Sequence, residues 1–172
     1  MNDTATLCEA PEISSQPSVS PVPKGYHNLT PYLIVKGAAK AIEFYREVFR
    51  AGELMRMPGP NGTIVHAEVR IGDSPIMLAD EMPGVACCRS PESIGGSPVG
   101  LMVYVEDVDA CAARAVAAGA KTLRPVQNQF YGDRSGTFTD PFGHVWTIST
   151  HIEDVSAEEM QRRMSQMKPC EP

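Results

Sequence analysis

Two stretches seventy residues apart follow one plan, and this duplication limits the fold more than any single motif. Val35-Lys36-Gly37-Ala38 leads into a helix-patterned run, and Val105-Glu106-Asp107-Val108 does the same seventy residues later. The same offset carries Met77 to Thr147, each inside a short apolar strand that closes its half. Two copies of one unit are expected to join about a pseudo-twofold axis. The seam between them is then the natural place for a pocket.

The first copy starts at Tyr26, where the pattern changes. Leu29 to Val35 reads as a strand, with Pro31 suited to an unpaired or edge position because it lacks an amide hydrogen. Ala38, Ala41, Ile42, Tyr45, Val48 and Phe49 recur at three- and four-residue steps, which predicts one apolar helix face. Gly52 is expected to stop that helix. Leu54 to Met57 reads as a strand, Pro60-Asn61-Gly62 as a tight turn, and Ile64 to Ile71 as an alternating strand. Pro75 to Ala79 closes the unit.

In the second copy Leu101, Val103 and Val105 alternate with polar or larger residues. Asp107 is placed to cap a helix through Val116, and Gly119 to end it. Lys121 to Val126, Ser135 to Asp140 and Val145 to Thr150 read as its remaining strands. Both copies are thus β-α-β-β-β, an α+β chain. Residues 1–24, rich in Ser, Pro and Thr, read as a disordered tail. The domain spans 25–152, with units 26–81 and 99–151 joined by a long linker, 82–98. Ser156-Ala157-Glu158-Glu159 is a capping box for a C-terminal helix within 153–172, with Met160, Met164 and Met167 on one side.

The 172 residues carry a formal net charge of −6. That length suits one compact domain. Mild acidity argues against nucleic-acid or membrane partners, which need a basic face. No run approaches the roughly eighteen apolar residues of a membrane span. The first residues also lack the basic start and apolar centre of a secretory signal, so a cytoplasmic location is expected. Five cysteines (Cys8, Cys87, Cys88, Cys111 and Cys170) show no metal-ligand spacing and read as reduced thiols, with a reactive role open for Cys87 or Cys88.

The tandem plan resembles the vicinal oxygen chelate superfamily, which holds glyoxalase I, extradiol dioxygenases and the fosfomycin- and bleomycin-resistance proteins. The marks are Val35-Lys36-Gly37-Ala38 through Glu43-Phe44-Tyr45, then Val105-Glu106-Asp107-Val108, Ala117-Ala118-Gly119-Ala120 and Asp140-Pro141-Phe142-Gly143-His144. Tyr131-Gly132-Asp133-Arg134-Ser135-Gly136 with His144-Val145-Trp146 is similar to the PhnB-like, glyoxalase-like branch. The resemblance covers about residues 26–151. It implies curled mixed sheets around a cup. It also implies a divalent metal held by His, Glu or Gln at positions that here are Thr30, Met77, Gly100 and Thr147. Met, Gly and two Thr cannot build such a site, so no metal cofactor is expected.

Strand parity then gives the residues expected to face the cup. Tyr32, Met77, Met102, Tyr104, Phe138, Thr147 and Ser149 are its candidate ligand-binding residues. Phe138 enters this set through the repeat, together with Gly136 and Asp140, as the counterparts of His66, Glu68 and Arg70. His66 and Glu68 sit two apart on one strand face, a spacing that permits an acid–base pair or two ligands of a displaced metal. The same row is also a common solvated face or an ion pair with Arg70. His144 reads as structural and Trp146 as core, while His151 stays open. Asp133 and Arg134 read as a local charge pair, with a gating role at the cup mouth as the alternative.

The first functional expectation is a metal-free cup that sequesters a small, partly aromatic organic compound, in a homodimer as the resemblance implies. The alternative is a lyase or isomerase of the glyoxalase type acting on a small oxygenated substrate. It would use a displaced divalent metal or the His66–Glu68 pair. A third is a regulatory module whose cup is filled by its own side chains.

Overall fold

The computed structural model describes residues 19–82, 84–85 and 88–166. Most of the expected tail, together with Cys8, Cys87, Met167 and Cys170, lies outside them. The first half runs β1 (Tyr32–Val35), α1 (Ala38–Phe49), β2 (Gly52–Pro58), β3 (Ile64–Ile71) and β4 (Ser74–Asp80). The second runs β5 (Gly100–Tyr104), α3 (Val108–Ala117), β6 (Lys121–Asn128), β7 (Asp133–Thr139) and β8 (Val145–His151). Each half is one four-stranded mixed sheet, ordered β1-β4-β3-β2 and β5-β8-β7-β6, and neither closes into a barrel.

Both helices start with the same device. The Asp80 carboxylate, at the end of β4, accepts the amides of Gly37 and Ala38 at 2.8 Å each. Seventy residues on, the Thr150 hydroxyl accepts the amide of Val108 at 2.9 Å, and Asp107 caps Ala110 at 2.9 Å. Each closing strand thereby fixes the start of its own helix by satisfying amides that a helix cannot pair internally. The stop of α1 differs from expectation. Arg50, not Gly52, takes the left-handed conformation at φ 58°, and Gly52 already begins β2. A non-glycine there costs on the order of 1–2 kcal/mol, a penalty the Arg50 amide offsets by bonding to Tyr45 O.

The helix-facing rows of both sheets and the apolar faces of α1 and α3 form one buried cluster. Trp146, on the inner row of β8, stacks against Phe49 and Tyr45 of α1 with ring centroids 4.7 and 5.5 Å apart. The helices therefore lie between the sheets. Because side chains alternate along a strand, the opposite rows stand on the outer faces.

The linker is not structureless. It contains α2 (Pro91–Ile94), capped by Ser90. After the second unit, Ser156 caps α4 (Ala157–Ser165) by accepting the Glu159 amide at 3.2 Å. The Glu159 side chain turns to Arg162 and Arg163 instead of closing the capping box. No helix among the described residues is long and apolar enough to cross a membrane.

One expectation from the repeat is corrected. Register pairs Glu68 with Met77 in the first sheet but Thr137 with Thr147 in the second. The offset is seventy at β8 yet sixty-nine at β7, so β7 is out of step with β3 by one residue. A one-residue slip exchanges the faces. Phe138, paired with Trp146 and only 3% exposed, belongs to the core and not to the cup row. Gly136 and Asp140 move with it, and Ser135, Thr137 and Thr139 take the outer row.

Candidate functional site

On the outer face of the first sheet, Tyr32 of β1, His66 and Glu68 of β3, and Tyr26 from the segment before β1 form one chain of hydrogen bonds. The Tyr32 hydroxyl lies 3.0 Å from His66 Nδ1, and His66 Nε2 lies 3.1 Å from Glu68 Oε1. The other Glu68 oxygen accepts the hydroxyl of Tyr26. Glu68 is 7% exposed. The hydrogen bond from Tyr26, aided by His66, outweighs burial and holds the Glu68 carboxyl below its ordinary value. Burial raises the Tyr32 phenol. Glu68 is thus an anion that orients His66, and His66 in turn fixes Tyr32. The most accessible member is Tyr32, at 48% exposure.

The second sheet carries a related arrangement with the roles permuted. Asp133, at the start of β7, is buried and accepts from Tyr104 at 2.9 Å, from Ser149 at 3.1 Å and from His151 Nδ1 at 2.8 Å. His151 Nε2 reaches Asp154 at 3.0 Å. Burial alone would raise the Asp133 carboxyl, but the bonds from His151, Tyr104 and Ser149 win and lower it. The bond to Asp133, then that to Asp154, raises His151 above 6.5. Tyr104, 60% exposed, is again the accessible phenol.

The expected residues are therefore placed as follows. Tyr32, Met77, Met102, Tyr104, Thr147 and Ser149 all stand on outer rows, with Glu68 opposite Met77 and Met102 opposite Thr147. Ser149 is wholly buried beneath that row, its hydroxyl committed to Asp133. His66 and Glu68 do meet. Asp133 and Arg134 do not pair: Arg134 grips Asp109 through two 2.7 Å bonds while Asp133 turns inward. His144 is structural, with its amide on Asp140 at 2.9 Å and Nε2 at 3.2 Å from Ile34 O. Sequence reasoning missed Asp133 as a hub and Tyr26 as a partner of Glu68. The available signal was the period-two match between Asp133 and Ser135 on β7, obscured by the out-of-step repeat.

Among the described residues the two outer rows belong to separate four-stranded sheets. Two small cavities flank Tyr32, one of about 350 Å³ with Ala79, Met82 and Cys88, another of about 330 Å³ against α2. The four positions where the resemblance implies metal ligands offer no carboxylate or imidazole. The Thr147 hydroxyl is already 3.3 Å from that of Thr137. No group of three or more His, Cys, Asp or Glu that could hold a metal exists among the described residues. These donors do not fit a hard divalent ion.

Comparison with known proteins agrees with this architecture. Residues 26–148 match the family described as the Glyoxalase/Bleomycin resistance protein/Dioxygenase superfamily. An uncharacterised Mycobacterium tuberculosis protein, Rv0887c, is 43% identical over 139 residues, which is 80% of this chain and 82% of that protein. The crystal structure of TioX from Micromonospora sp. ML1 is similar at 28% identity and a TM-score of 0.56, covering 72% of this chain and 98% of TioX. A PhnB protein from Bacillus cereus shares the fold at 19% identity and a TM-score of 0.58, covering 72% and 99%.

Proposed function

This chain belongs to the Glyoxalase/Bleomycin resistance protein/Dioxygenase superfamily, and we propose that it binds a small, partly aromatic organic compound without a metal, as a sequestering protein. The observation that carries this reading is the pair of half-exposed tyrosines, Tyr32 and Tyr104. Each ring stands on an outer sheet face with its hydroxyl hydrogen-bonded to a neighbouring side chain. Such a ring is a pre-organised stacking surface that loses little freedom when a flat ligand docks. Met102, half exposed beside Thr147, adds a soft and adaptable contact.

A second copy of the chain closes these faces into a cup. Met57, Val65, Met102 and the two tyrosines are all more than two-fifths exposed, and a second copy would cover them. The homodimer and the cytoplasmic setting belong to this reading.

The test is a thermal-shift screen of neutral planar aromatic compounds against the full chain. A ligand at a hundred times its Kd stabilises by about 2.7 kcal/mol. Tyr32→Ala and Tyr104→Ala should each weaken such a ligand about tenfold, or about 1.4 kcal/mol. A ligand bound equally by both variants, or an absence of any stabilising aromatic compound, ends the proposal.

The Tyr32–His66–Glu68 chain favours one second reading, a lyase or isomerase of the glyoxalase type. With Nε2–H given to Glu68, His66 Nδ1 accepts from Tyr32, and Tyr32 can pass a proton to or from a bound substrate. A divalent metal retained stoichiometrically and lost on His66→Ala would select the metal-dependent form of this reading over sequestration.

A further inference from the structure

At the edge of the two sheet faces, the C-terminal end of α1, the end of β3 and the β5–α3 connection line a cleft of about 1200 Å³. Its wall holds three arginines, Arg50, Arg70 and Arg114, in a chain whose net charge is −6. Arg114 spends Nε and Nη2 on Val48 O, at 3.3 and 3.1 Å. Arg70 is different. Its Nε is shut off from solvent and has no hydrogen-bond partner. Its guanidinium lies against Gly25, where a β-carbon would approach Nη2 to 3.1 Å. Gly25 has φ 88°, so the turn both favours glycine there and leaves the guanidinium its room.

An arginine donor buried without an acceptor is unusual, because it loses water and gains nothing in return. Nε itself is closed to the cleft, so an incoming oxyanion would meet the terminal nitrogens of the fork. The guanidinium fork matches carboxylate and phosphate geometry, and charge-assisted bonds are about twice as strong as neutral ones. The opposing charges in the wall are Glu106 and Asp107. Asp107 is committed to the cap of α3, and His151 adds a further group that the neighbouring carboxylates hold toward its cationic form. Phe49, Leu54 and Ile71 make the remaining wall apolar.

We infer that this cleft is a binding site for an organic oxyanion, a carboxylate or phosphate carried on an apolar or aromatic body, with Arg70 as its principal anchor. The site is separate from the tyrosine faces and does not rest on them. Arg70, Tyr104 and His151 stand at its border with those faces.

The experiment is calorimetric titration of the full chain with phenyl phosphate, benzoate, inorganic phosphate and neutral benzyl alcohol, paired with amide shift mapping of the wild-type protein. Phenyl phosphate or benzoate should bind, weaken as salt is raised, and move the amides of Phe49, Gly72 and Thr150. Benzyl alcohol should leave those three amides unmoved. Arg70→Gln should cost at least about tenfold in Kd, Arg50→Gln less, and Tyr32→Ala nothing. The inference is overturned if no anion binds more tightly than about 1 mM, if the shifts fall instead on Tyr32 and Met102, or if folded Arg70→Gln binds as the wild type does. Should that variant not fold, the wild-type shift map still decides. A wild-type chain that binds the anion but no neutral aromatic compound would sink the sequestering proposal and leave this one standing.

Discussion

The hydroxyl of Tyr45, on the helix of the first half, donates to the carboxylate of Asp140, in the turn between β7 and β8 of the second, across 2.9 Å. Both residues are buried. Asp140 also accepts the Trp146 indole N–H and the amides of Phe142 and His144, each at 2.9 Å. Burial, then the Asp140 charge, pushes the Tyr45 phenol well above its usual value, which keeps it a donor at any working pH. One carboxylate thus ties the two halves together at their common core. Tyr45→Phe should lose about 1–2 kcal/mol, since Asp140 keeps its other donors. Asp140→Ala should lose more than about 3 kcal/mol by orphaning several buried donors at once. Urea denaturation followed by fluorescence of Trp146 measures both, and the slope should stay unchanged.

Phe138 and Thr137 stand on opposite faces of β7 and give opposite outcomes. Phe138 fills the core against Trp146, so Phe138→Ala should destabilise by about 3–5 kcal/mol through the cavity it leaves. Thr137 faces outward beside Thr147, and Thr137→Ala should change stability by no more than about 1 kcal/mol. Equal losses for the two variants would contradict the assigned faces.

Much of this was legible in the chain itself, and the failure is informative. Helix α1 followed from its apolar spacing, and the Asp107 cap from its position before an apolar run. The capping site at Ser156 and the turn at Asn61, with φ 57°, were read correctly for the same kind of local reason. The inner placement of Trp146 followed from the same parity, and the family from the order of its marks. What failed was transfer across the repeat. A duplication conserves the fold while allowing one strand to drift by a residue, and no local signal in Ser135-Gly136-Thr137-Phe138 announces the drift. The same drift obscured the Asp133 hub, and a second reason added to it. Its partners Tyr104, Ser149 and His151 come from two other strands and meet it only after the sheet has formed.

His151 makes folding stability depend on pH in a defined direction. Its bonds to Asp133 and Asp154 raise it in the folded state above 6.5. A raised value means the contribution is fully present below the unfolded value and is lost as pH rises through the folded one. Asp133 is lowered, so its contribution is present above 3.8 and is lost as pH falls through its folded value. The pair therefore acts most strongly in the window between those ranges. Melting temperatures from about pH 6 to about pH 9 should fall in the wild type, and His151→Ala should flatten that slope. An NMR titration of His151 should show its inflection above 6.5, moving down in Asp154→Asn. An inflection below 6.5 in the wild type would refute the assignment.

The linker helix α2 is latched by one carboxylate, and the latch can be released. Glu81, just past β4, accepts the Ser90 amide at 2.6 Å and the Ser93 hydroxyl at 2.8 Å. These bonds, those from Ser90 leading, lower Glu81 from 4.5 to about 2. A lowered group contributes above its unfolded value and loses that contribution as pH falls through the folded one, here between 4.5 and about 2. Acidification through that window should loosen α2 while the sheets persist. Glu81→Gln should do the same at neutral pH, because an amide is a weaker acceptor than a carboxylate. The consequence reaches Tyr32. Pro91 and Ile94 of α2 line the cavity of about 330 Å³ on which that ring borders, so unlatching α2 removes one of its walls. Amide exchange at Ser90, Ser93 and Ile94 should accelerate in Glu81→Gln, with Val69 and Ile148 in the sheets unchanged. Exchange that stays slow at all three linker amides would show that Pro91 packing against Gly143, and not Glu81, holds the helix in place.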